Sequence, residues 1–238
     1  MMREKGKLYL VPTVIAERSA HKVISPYVKE VLKPIRFFLV EDIRTARRFL
    51  SSLGIYDSIE DLYFNILDKN ASIEDLPDMM SPLLAGKPVA VISESGCPGV
   101  ADPGALAVRY AHEHGIKVEP LVGPSSILLA LMASGLNGQR FAFHGYLPVD
   151  ATESVSLIKT LEKQSSSLIQ TQLFIETPYR NNSLFQHLLK ALHEETLLCL
   201  AINITGEEEM IKTQTVGEWK RSDYRLPKEP AIFLFLAP

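Results

Sequence analysis

Residues 93–104 read SESGCPGVADPG, a stretch in which three glycines and two prolines shape the backbone more than an ordinary connecting loop requires. Glycine lets the backbone adopt positive φ and approach a ligand closely, and proline fixes the turns in between. The stretch follows the apolar run 88–92, and the ligands of an open parallel sheet gather at the carboxyl ends of its strands. We therefore predict a small-molecule site in this loop, and we expect Asp102 to cap the helix that follows Pro103.

The common phosphate-binding motifs do not fit this loop. Its glycines fall at positions 96, 99 and 104, which is not the G-x-G-x-x-G spacing that holds a dinucleotide pyrophosphate, and the chain contains no G-x-x-x-x-G-K-S/T motif. Cys97 and Cys199 form no CxxC pair, and His112 and His114 lack a third ligand, so we predict no metal site. A cofactor without phosphate groups needs neither of the two phosphate-binding motifs.

The composition indicates a globular protein. The chain is 238 residues long and 46% hydrophobic, enough for one large domain or two of ordinary size. Its formal net charge of −3 gives no general attraction to nucleic acid, so a polyanion would have to meet a local patch. The longest apolar stretch, 127–133, is well short of the roughly 20 residues that a membrane span needs, and the amino-terminal residues lack the features of a signal peptide. We therefore predict a cytoplasmic protein with no membrane partner.

The first half of the chain alternates strand-like and helix-like segments, which is the pattern of a parallel sheet covered by helices. An apolar helix is predicted to start near Ser125 and to end near Gly135. Short β-prone runs predict strands, and helical spacing predicts helices between them: strands at 7–11, 37–40, 89–92 and 117–121, and helices at 44–53 and 104–114.

The second half of the chain shows a different order of predicted strands and helices. The turn-rich segment 136–140 marks the predicted boundary between a domain of residues 1–136 and a domain of residues 137–238. A helix over 152–164 is predicted to end in a polar turn at 164–167. Further along, consecutive strands predict a mixed or antiparallel sheet, the predicted elements being a strand at 172–175, a helix at 182–193, and strands at 197–204, 210–216 and 231–236.

Six segments, in order over nearly the whole length, resemble motifs of the tetrapyrrole methylase superfamily. The branch they resemble methylates a ribose 2′-hydroxyl of small-subunit ribosomal RNA. Residues 93–104 are similar to its S-D-A-G-T-P-x-I-S-D-P-G loop. The other similar segments are the opening strand at 8–13, E-D-T-R-x-T-R-x-L-L at 41–50, P-G-P-S-A at 122–126 with A-S-G-L at 133–136, F-x-G-F-L-P at 143–148 and E-S-P-H-R at 176–180.

The resemblance implies an α/β fold of two domains, with a parallel sheet in the N-terminal domain and a mixed sheet in the C-terminal one. It implies S-adenosylmethionine in the cleft between the domains, and a homodimer. The implied activity is methyl transfer from this cofactor to ribosomal RNA or the small ribosomal subunit. The residues that match the cofactor-binding motifs are Pro12, Ser93, Glu94, Gly96, Pro98, Val100, Ala101, Asp102, Ser125, Tyr146 and Pro178.

A ribose hydroxyl must lose its proton during methylation, so a general base is expected among the carboxylates of the matched segments. These are Glu41, Asp42, Glu94 and Asp102. We predict that Glu41 acts at the acceptor, with Glu94 as the second choice. Arg44, in the same matched segment as Glu41, is predicted to contribute to acceptor binding.

Two departures from the family affect the acceptor. The family's basic tract after L-P is replaced by the segment 149–153, which carries the acidic residues Asp150 and Glu153, and the strand segment 201–206 lacks the family's arginine and lysine. Phosphate contacts supply much of the affinity for RNA, so their loss would weaken it. A second hypothesis therefore keeps the cofactor but takes a small acceptor such as a tetrapyrrole. A third hypothesis, that the protein is a non-catalytic binding module, is less compatible with the intact loop 93–104.

Overall fold

The computed structural model describes residues 4–238, and residues 1–3, where the charged amino-terminal segment begins, lie outside the described residues. The chain divides into two compact units between Ser125 and Ser126. The helix that begins at Ser126 packs on strands of the second unit, and the carbonyl of Ser134 at its end accepts a hydrogen bond from Thr213 Oγ1 at 2.7 Å. The predicted boundary after Leu136 therefore lies one helix beyond the division in the structure.

The first unit is a five-stranded parallel sheet with the strand order β3-β2-β4-β1-β5. All four residues of β4 are buried, because helices cover both faces of the sheet. The strands are β1 (Leu8–Val11), β2 (Phe37–Val40), β3 (Tyr63–Ile66), β4 (Val89–Ile92) and β5 (Val118–Pro120).

Two hydrophobic cores lie in this unit, one containing Phe38, Phe49 and Leu50 and the other containing Leu76, Met80 and Tyr110. Helices supply most of the side chains that face the sheet. They are α1 (Ala20–Val23), α2 (Pro26–Leu32), α3 (Ile43–Leu53), α4 (Leu76–Leu84) and α5 (Ala105–Glu113), with a short 3₁₀ helix at Ile73–Asp75.

The second unit contains helix α6 (Ser126–Ser134) and a mixed sheet with the strand order β6-β7-β10-β8-β9, in which only β6 and β7 pair in parallel. Trp219, 1% exposed, lies in its core and donates its indole N–H to the carbonyl of Leu198 at 2.8 Å. The remaining elements are β6 (Phe141–Phe143), α7 (Ala151–Leu168), β7 (Thr171–Glu176), α8 (Asn181–Ala191), β8 (Leu197–Ile202), β9 (Met210–Thr215), α9 (Val216–Arg221) and β10 (Ala231–Leu236).

The predicted fold class is confirmed, with a parallel sheet followed by a mixed one. The polar turn predicted at 164–167 is wrong, because α7 continues through it to Leu168. Ser165 is buried there, where its hydroxyl donates to the carbonyl of Gln170 at 2.8 Å and accepts from the Ala237 N–H at 2.9 Å. No helix within residues 4–238 is both long and apolar enough to cross a membrane.

Candidate functional site

Three neighbouring strands of the first unit end at the same edge of the sheet. In the register, Val11 of β1 and Val40 of β2 both lie opposite Ile92 of β4. The residues that follow these strand ends therefore emerge side by side, and Glu41 comes next to the start of the loop 93–104. The structure thus brings together the predicted proton acceptor and the predicted cofactor loop.

The loop 93–104 is tied to two neighbouring segments. The Thr13 N–H donates to the carbonyl of Gly96 at 2.8 Å, and the Cys97 thiol donates to the carbonyl of Pro124 at 3.3 Å. A Cβ on Gly123 would lie 2.2 Å from the Cβ of Pro12, so only glycine allows these two segments to pack. Pro12 is buried and Ser125 half-buried in this arrangement, which places both predicted cofactor contacts beside the loop.

The middle of the loop presents exposed backbone. The Gly99 N–H donates to the Pro103 carbonyl at 3.2 Å, and this bond closes a compact turn whose outer residues Val100 and Ala101 are exposed. Gly99 and the non-glycine Ala101 both have positive φ, at 77° and 64°. A backbone held in such rare conformations with its peptide groups accessible can bind a ligand without side chains.

The other predicted loop residues divide between buried supports and exposed groups. Ser93 is buried, and its hydroxyl lies 3.4 Å from the Ser95 carbonyl that accepts its hydrogen bond. Gly96, with φ 70°, and Pro98 are also buried, so they shape the loop from below. Glu94 is exposed at the rim.

Asp102 does not cap helix α5, contrary to the sequence prediction. The N-cap residue is Gly104, with φ 141°, and no side chain caps the helix. The Asp102 carboxyl is instead half-buried, and its burial, with the nearby charges of Glu41 and Glu94, raises its pKa to about 6. Asp102 therefore belongs to a group of carboxyls at the strand edge rather than to the helix terminus.

Glu41 is the carboxyl in this group that lacks a full set of partners. Its Oε2 atom is buried and has no hydrogen-bond partner within the described chain. Burial, followed by the charges of Glu94 and Asp68, raises the pKa of Glu41 above its ordinary value. A half-buried carboxylate with a raised pKa and a free oxygen is suited to accept a proton.

Asp42 has a structural role, although it adjoins Glu41. Its Oδ1 accepts a hydrogen bond from the Thr45 N–H at 2.7 Å and caps helix α3. That bond is the main reason why the pKa of Asp42 is lowered. The Asp42 carboxylate is therefore occupied as the cap of helix α3, whereas the Glu41 carboxylate is available to accept a proton.

A cleft of about 560 Å³ opens beside Glu94 on the side of β1 and α3. A narrower crevice, which Glu41 lines, shares Thr45, Ser93 and Glu94 with this cleft. The hydroxyl Oγ1 of Thr13, which is 2% exposed and has no partner among the described residues, also belongs to its wall. A second cleft, of about 330 Å³, is lined by residues 67–69 and 101–106 on the far side of the loop.

Three basic side chains line the larger cleft: Arg18, His21 and Arg48. Arg44 is exposed and lies outside the lining, while Arg47 packs its guanidinium 5.5 Å from the ring centroid of Phe64. Arg18 and His21 were missed by the sequence analysis because they belong to no recognised motif. Their positions depend on the path of the chain from β1 into α1.

Two predicted cofactor residues, Tyr146 and Pro178, belong to the second unit. Tyr146 follows β6 and is 57% exposed, and Pro178 lies half-buried in the turn after β7. Both therefore follow the carboxyl ends of the one parallel strand pair of that sheet. Within residues 4–238, no group of three or more histidine, cysteine, aspartate or glutamate side chains could hold a metal ion.

The raised pKa of Asp102 predicts how stability depends on pH. The folded state binds the proton more tightly than the unfolded chain, so the free energy of unfolding should fall as pH rises from 3.8 to about 6. Asp102→Asn removes this loss and should stabilise the fold by about 1–2 kcal/mol above pH ~7, after reduction for solvent screening. Near pH ~2.5, where both states are almost fully protonated, the variant should gain nothing. Urea denaturation across this pH range measures the difference.

Asp57→Asn, which changes an exposed aspartate of the same unit, is the control for the general effect of removing one negative charge. An Asp102→Asn effect of the same size at every pH would contradict the assignment.

Comparison with known proteins gives the context for this site. Residues 10–220 match the family described as Tetrapyrrole (Corrin/Porphyrin) Methylases. The protein named ribosomal RNA small subunit methyltransferase I from Escherichia coli O157:H7 is 31% identical over 233 residues, covering 97% of this chain and 77% of that protein. Its namesake from Mesorhizobium japonicum is 33% identical over 209 residues, covering 88% of this chain and 67% of that protein.

Solved structures share the fold at lower sequence identity. The crystal structure of the methyltransferase CobJ superposes with a TM-score of 0.60 at 15% identity, covering 98% of this chain and all of that one, 100%. Uroporphyrin-III-C-methyltransferase from Thermus thermophilus gives a TM-score of 0.57 at 19% identity, covering 97% and 92% of the two chains. At these identities the likeness is one of fold.

Proposed function

The chain belongs to the tetrapyrrole methylase family, and on that premise we propose that it transfers a methyl group from S-adenosylmethionine to a ribose 2′-hydroxyl of small-subunit ribosomal RNA. One observation carries the proposal. Glu41, with its buried and unpartnered Oε2, lies at the same strand edge as the loop 93–104. The larger cleft beside it is lined by Arg18 and Arg48, together with two carboxylates. The named activity of the relatives supports RNA as the acceptor.

The loop 93–104 fits the cofactor that the family implies. Its exposed turn at 99–101 offers backbone groups, and the orphaned Thr13 hydroxyl offers a further polar contact at the same edge. When bound, S-adenosylmethionine supplies a methyl group that its sulfonium centre already activates. The protein's part is therefore to hold the donor and the acceptor in position and to exclude water. That Tyr146 and Pro178 also contact the cofactor remains a prediction from the family resemblance.

Glu41 is proposed to accept the proton that the ribose hydroxyl loses. Burial, and then the negative charges of Glu94 and Asp68, disfavour the ionised form of Glu41 and thereby increase its basicity. In its ionised form the Glu41 carboxylate can take up this proton in the transition state. Glu94, exposed at the rim of the larger cleft, is less suited because water screens its charge.

Arg48 is proposed to contact a phosphate of the acceptor from the wall of the larger cleft. Arg48→Ala should raise the KM for RNA and reduce the salt slope of RNA binding by about one unit, with little change in cofactor affinity. Arg44→Ala is the matched comparison, since it removes the same charge from the same helix but outside the cleft lining. Filter binding at several salt concentrations measures both slopes. A larger effect at Arg44 than at Arg48 would favour the assignment made from the sequence.

The function is tested with tritiated S-adenosylmethionine and three acceptors: small ribosomal subunits assembled on unmethylated transcripts, the free transcript, and a pool of tetrapyrroles. We expect label in the RNA, and nuclease digestion should place it on a ribose. Label in the tetrapyrrole pool alone would establish the small-acceptor hypothesis. No transfer to any acceptor, combined with no calorimetric heat of cofactor binding, would contradict both.

The same resemblance leads us to propose a cytoplasmic homodimer. Sedimentation equilibrium of the purified protein tests the oligomeric state, because a dimer of a 26.5 kDa chain has twice that mass. A single species at the monomer mass over the tested concentrations would contradict the dimer.

A further inference from the structure

The turn after β7 in the second unit is fixed by a buried carboxylate. The side chain of Glu176 is fully buried, with 0% exposed, and its Oε1 accepts a hydrogen bond from the Thr177 N–H at 2.7 Å. Its Oε2 pairs with Arg180 Nη2 at 2.9 Å, a contact that is ionic rather than a well-aligned hydrogen bond. Because one buried anion binds both ends of the turn, residues 177–180 have little freedom to rearrange.

A second segment is tied to the start of helix α8, directly after this turn. The Asn182 side chain donates to the carbonyl of Leu226 at 2.9 Å and accepts from the Leu226 N–H at the same distance, 2.9 Å. The buried Asn181 side chain donates to the carbonyl of Glu229 at 2.7 Å. These three bonds hold residues 226–229 alongside the turn.

One aromatic ring in this turn, that of Tyr179, extends into solvent. Tyr179 is 85% exposed, although the residues on either side of the turn are buried or paired. Lys228, from the tied segment, places its ammonium 5.8 Å from the ring centroid of Tyr179. An exposed ring on a fixed segment of backbone, with a cation near one face, is suited to stack a base of single-stranded nucleic acid.

The charges near this ring indicate which part of RNA it can contact. Glu229 adjoins Lys228, and Glu207, Glu208 and Glu209 form the turn between β8 and β9 at the same edge of the sheet. Such carboxylates repel phosphate, so a backbone-tracking groove is not supported here. The flat face of a base carries no net charge, and stacking on an aromatic ring tolerates acidic neighbours far better than a phosphate contact does.

We propose that Tyr179, supported by Lys228, is a platform on which an unpaired base of the acceptor RNA stacks. The inference rests on the proposed function and adds a point of contact in the second unit. Sequence-specific and structure-specific RNA recognition targets unpaired bases that can be splayed out onto aromatic side chains. The platform also compensates for the missing basic tracts, because a stacked base supplies affinity that does not depend on lysine or arginine contacts with phosphate.

The test compares Tyr179→Ala with Tyr179→Trp in methylation of small ribosomal subunits assembled on unmethylated transcripts. Loss of one stacked base should raise the KM for subunits about tenfold in Tyr179→Ala, while Tyr179→Trp keeps the wild-type value. The salt slope of binding should be unchanged, because no phosphate contact is lost. Calorimetric affinity for S-adenosylmethionine should also be unchanged. Tyr27→Ala, which removes an exposed tyrosine of the first unit, is the control and should have no effect.

The outcomes separate this inference from the function on which it rests. If the wild-type protein methylates subunits and Tyr179→Ala has the wild-type KM, the platform is refuted and the function stands. A loss confined to cofactor affinity would refute it as well, by placing the ring at the cofactor. If the wild-type protein transfers no methyl group to RNA, the function and the platform both fail. Thermal melting of each variant verifies that the fold is intact.

Discussion

Glu41→Gln should lower kcat for RNA methylation by about 100-fold or more, the usual contribution of a positioned general base. The amide is similar in size and shape to the carboxylate but cannot accept the ribose proton at neutral pH. Cofactor affinity should change little, because the cofactor is assigned to the neighbouring loop 93–104 and not to Glu41. Single-turnover transfer from tritiated S-adenosylmethionine to subunits measures the chemical step directly.

Two further carboxyl variants make the assignment specific. Glu17→Gln removes an exposed carboxylate that lines the larger cleft, next to the crevice that Glu41 lines, and it should leave kcat near the wild-type value. Asp102→Asn changes the other carboxyl whose pKa is raised by burial. Normal turnover by Glu41→Gln together with a large loss in Asp102→Asn would transfer the role of proton acceptor from Glu41 to Asp102.

Gly104→Ala should weaken cofactor binding by about 10- to 100-fold, which corresponds to a backbone strain of about 1–3 kcal/mol. Gly104 has φ 141°, a region that residues with a side chain rarely adopt, and a Cβ there would lie 3.1 Å from the Gly99 nitrogen. The strain can be relieved only if the turn that Gly99 and Pro103 close is displaced. Isothermal calorimetry with S-adenosylmethionine measures the effect.

Gly54→Ala provides the matched control for this substitution. Gly54 also has positive φ, at 62°, but it ends helix α3 and a Cβ there would have no neighbour within 4 Å. This variant should lose about 1 kcal/mol of stability and keep its cofactor affinity. If Gly104→Ala behaved in the same way, with lower stability and unchanged affinity, the loop would not be the cofactor site.

The sequence predicted the strands that position the candidate site, because local chemistry determines them. Strands β2 and β4 match the predicted ranges, since short apolar runs between turn residues have few alternative structures. The register of three parallel strands then places Glu41 beside the loop 93–104, as expected for ligands at the carboxyl ends of a parallel sheet.

The features that the sequence analysis missed depend on contacts between distant parts of the chain. The turn at 164–167 was predicted from its serines, but the Ser165 hydroxyl bonds to Gln170 and Ala237, and these tertiary contacts outweigh the low helix propensity. Asp102 has the residue type of a helix cap, yet the positive φ of Gly104 turns the chain before the helix begins. Arg48 and Arg44 look equivalent on a helical wheel, and only the packing of α1 near α3 makes Arg48 a cleft residue.

The Cys97 thiol, which donates a hydrogen bond to the Pro124 carbonyl, is a group that a bound methyl donor could itself methylate. A sulfonium methyl donor is an alkylating agent, and a cysteine thiolate within the donor's own binding loop would be a ready target. Burial, and then the charge of Asp102, raise the pKa of Cys97, so the sulfur stays protonated at neutral pH. Since the thiolate is the nucleophilic form, the neutral thiol would protect the loop against methylation by the cofactor that we propose it binds. We therefore expect Cys97 to remain unmodified through repeated turnover.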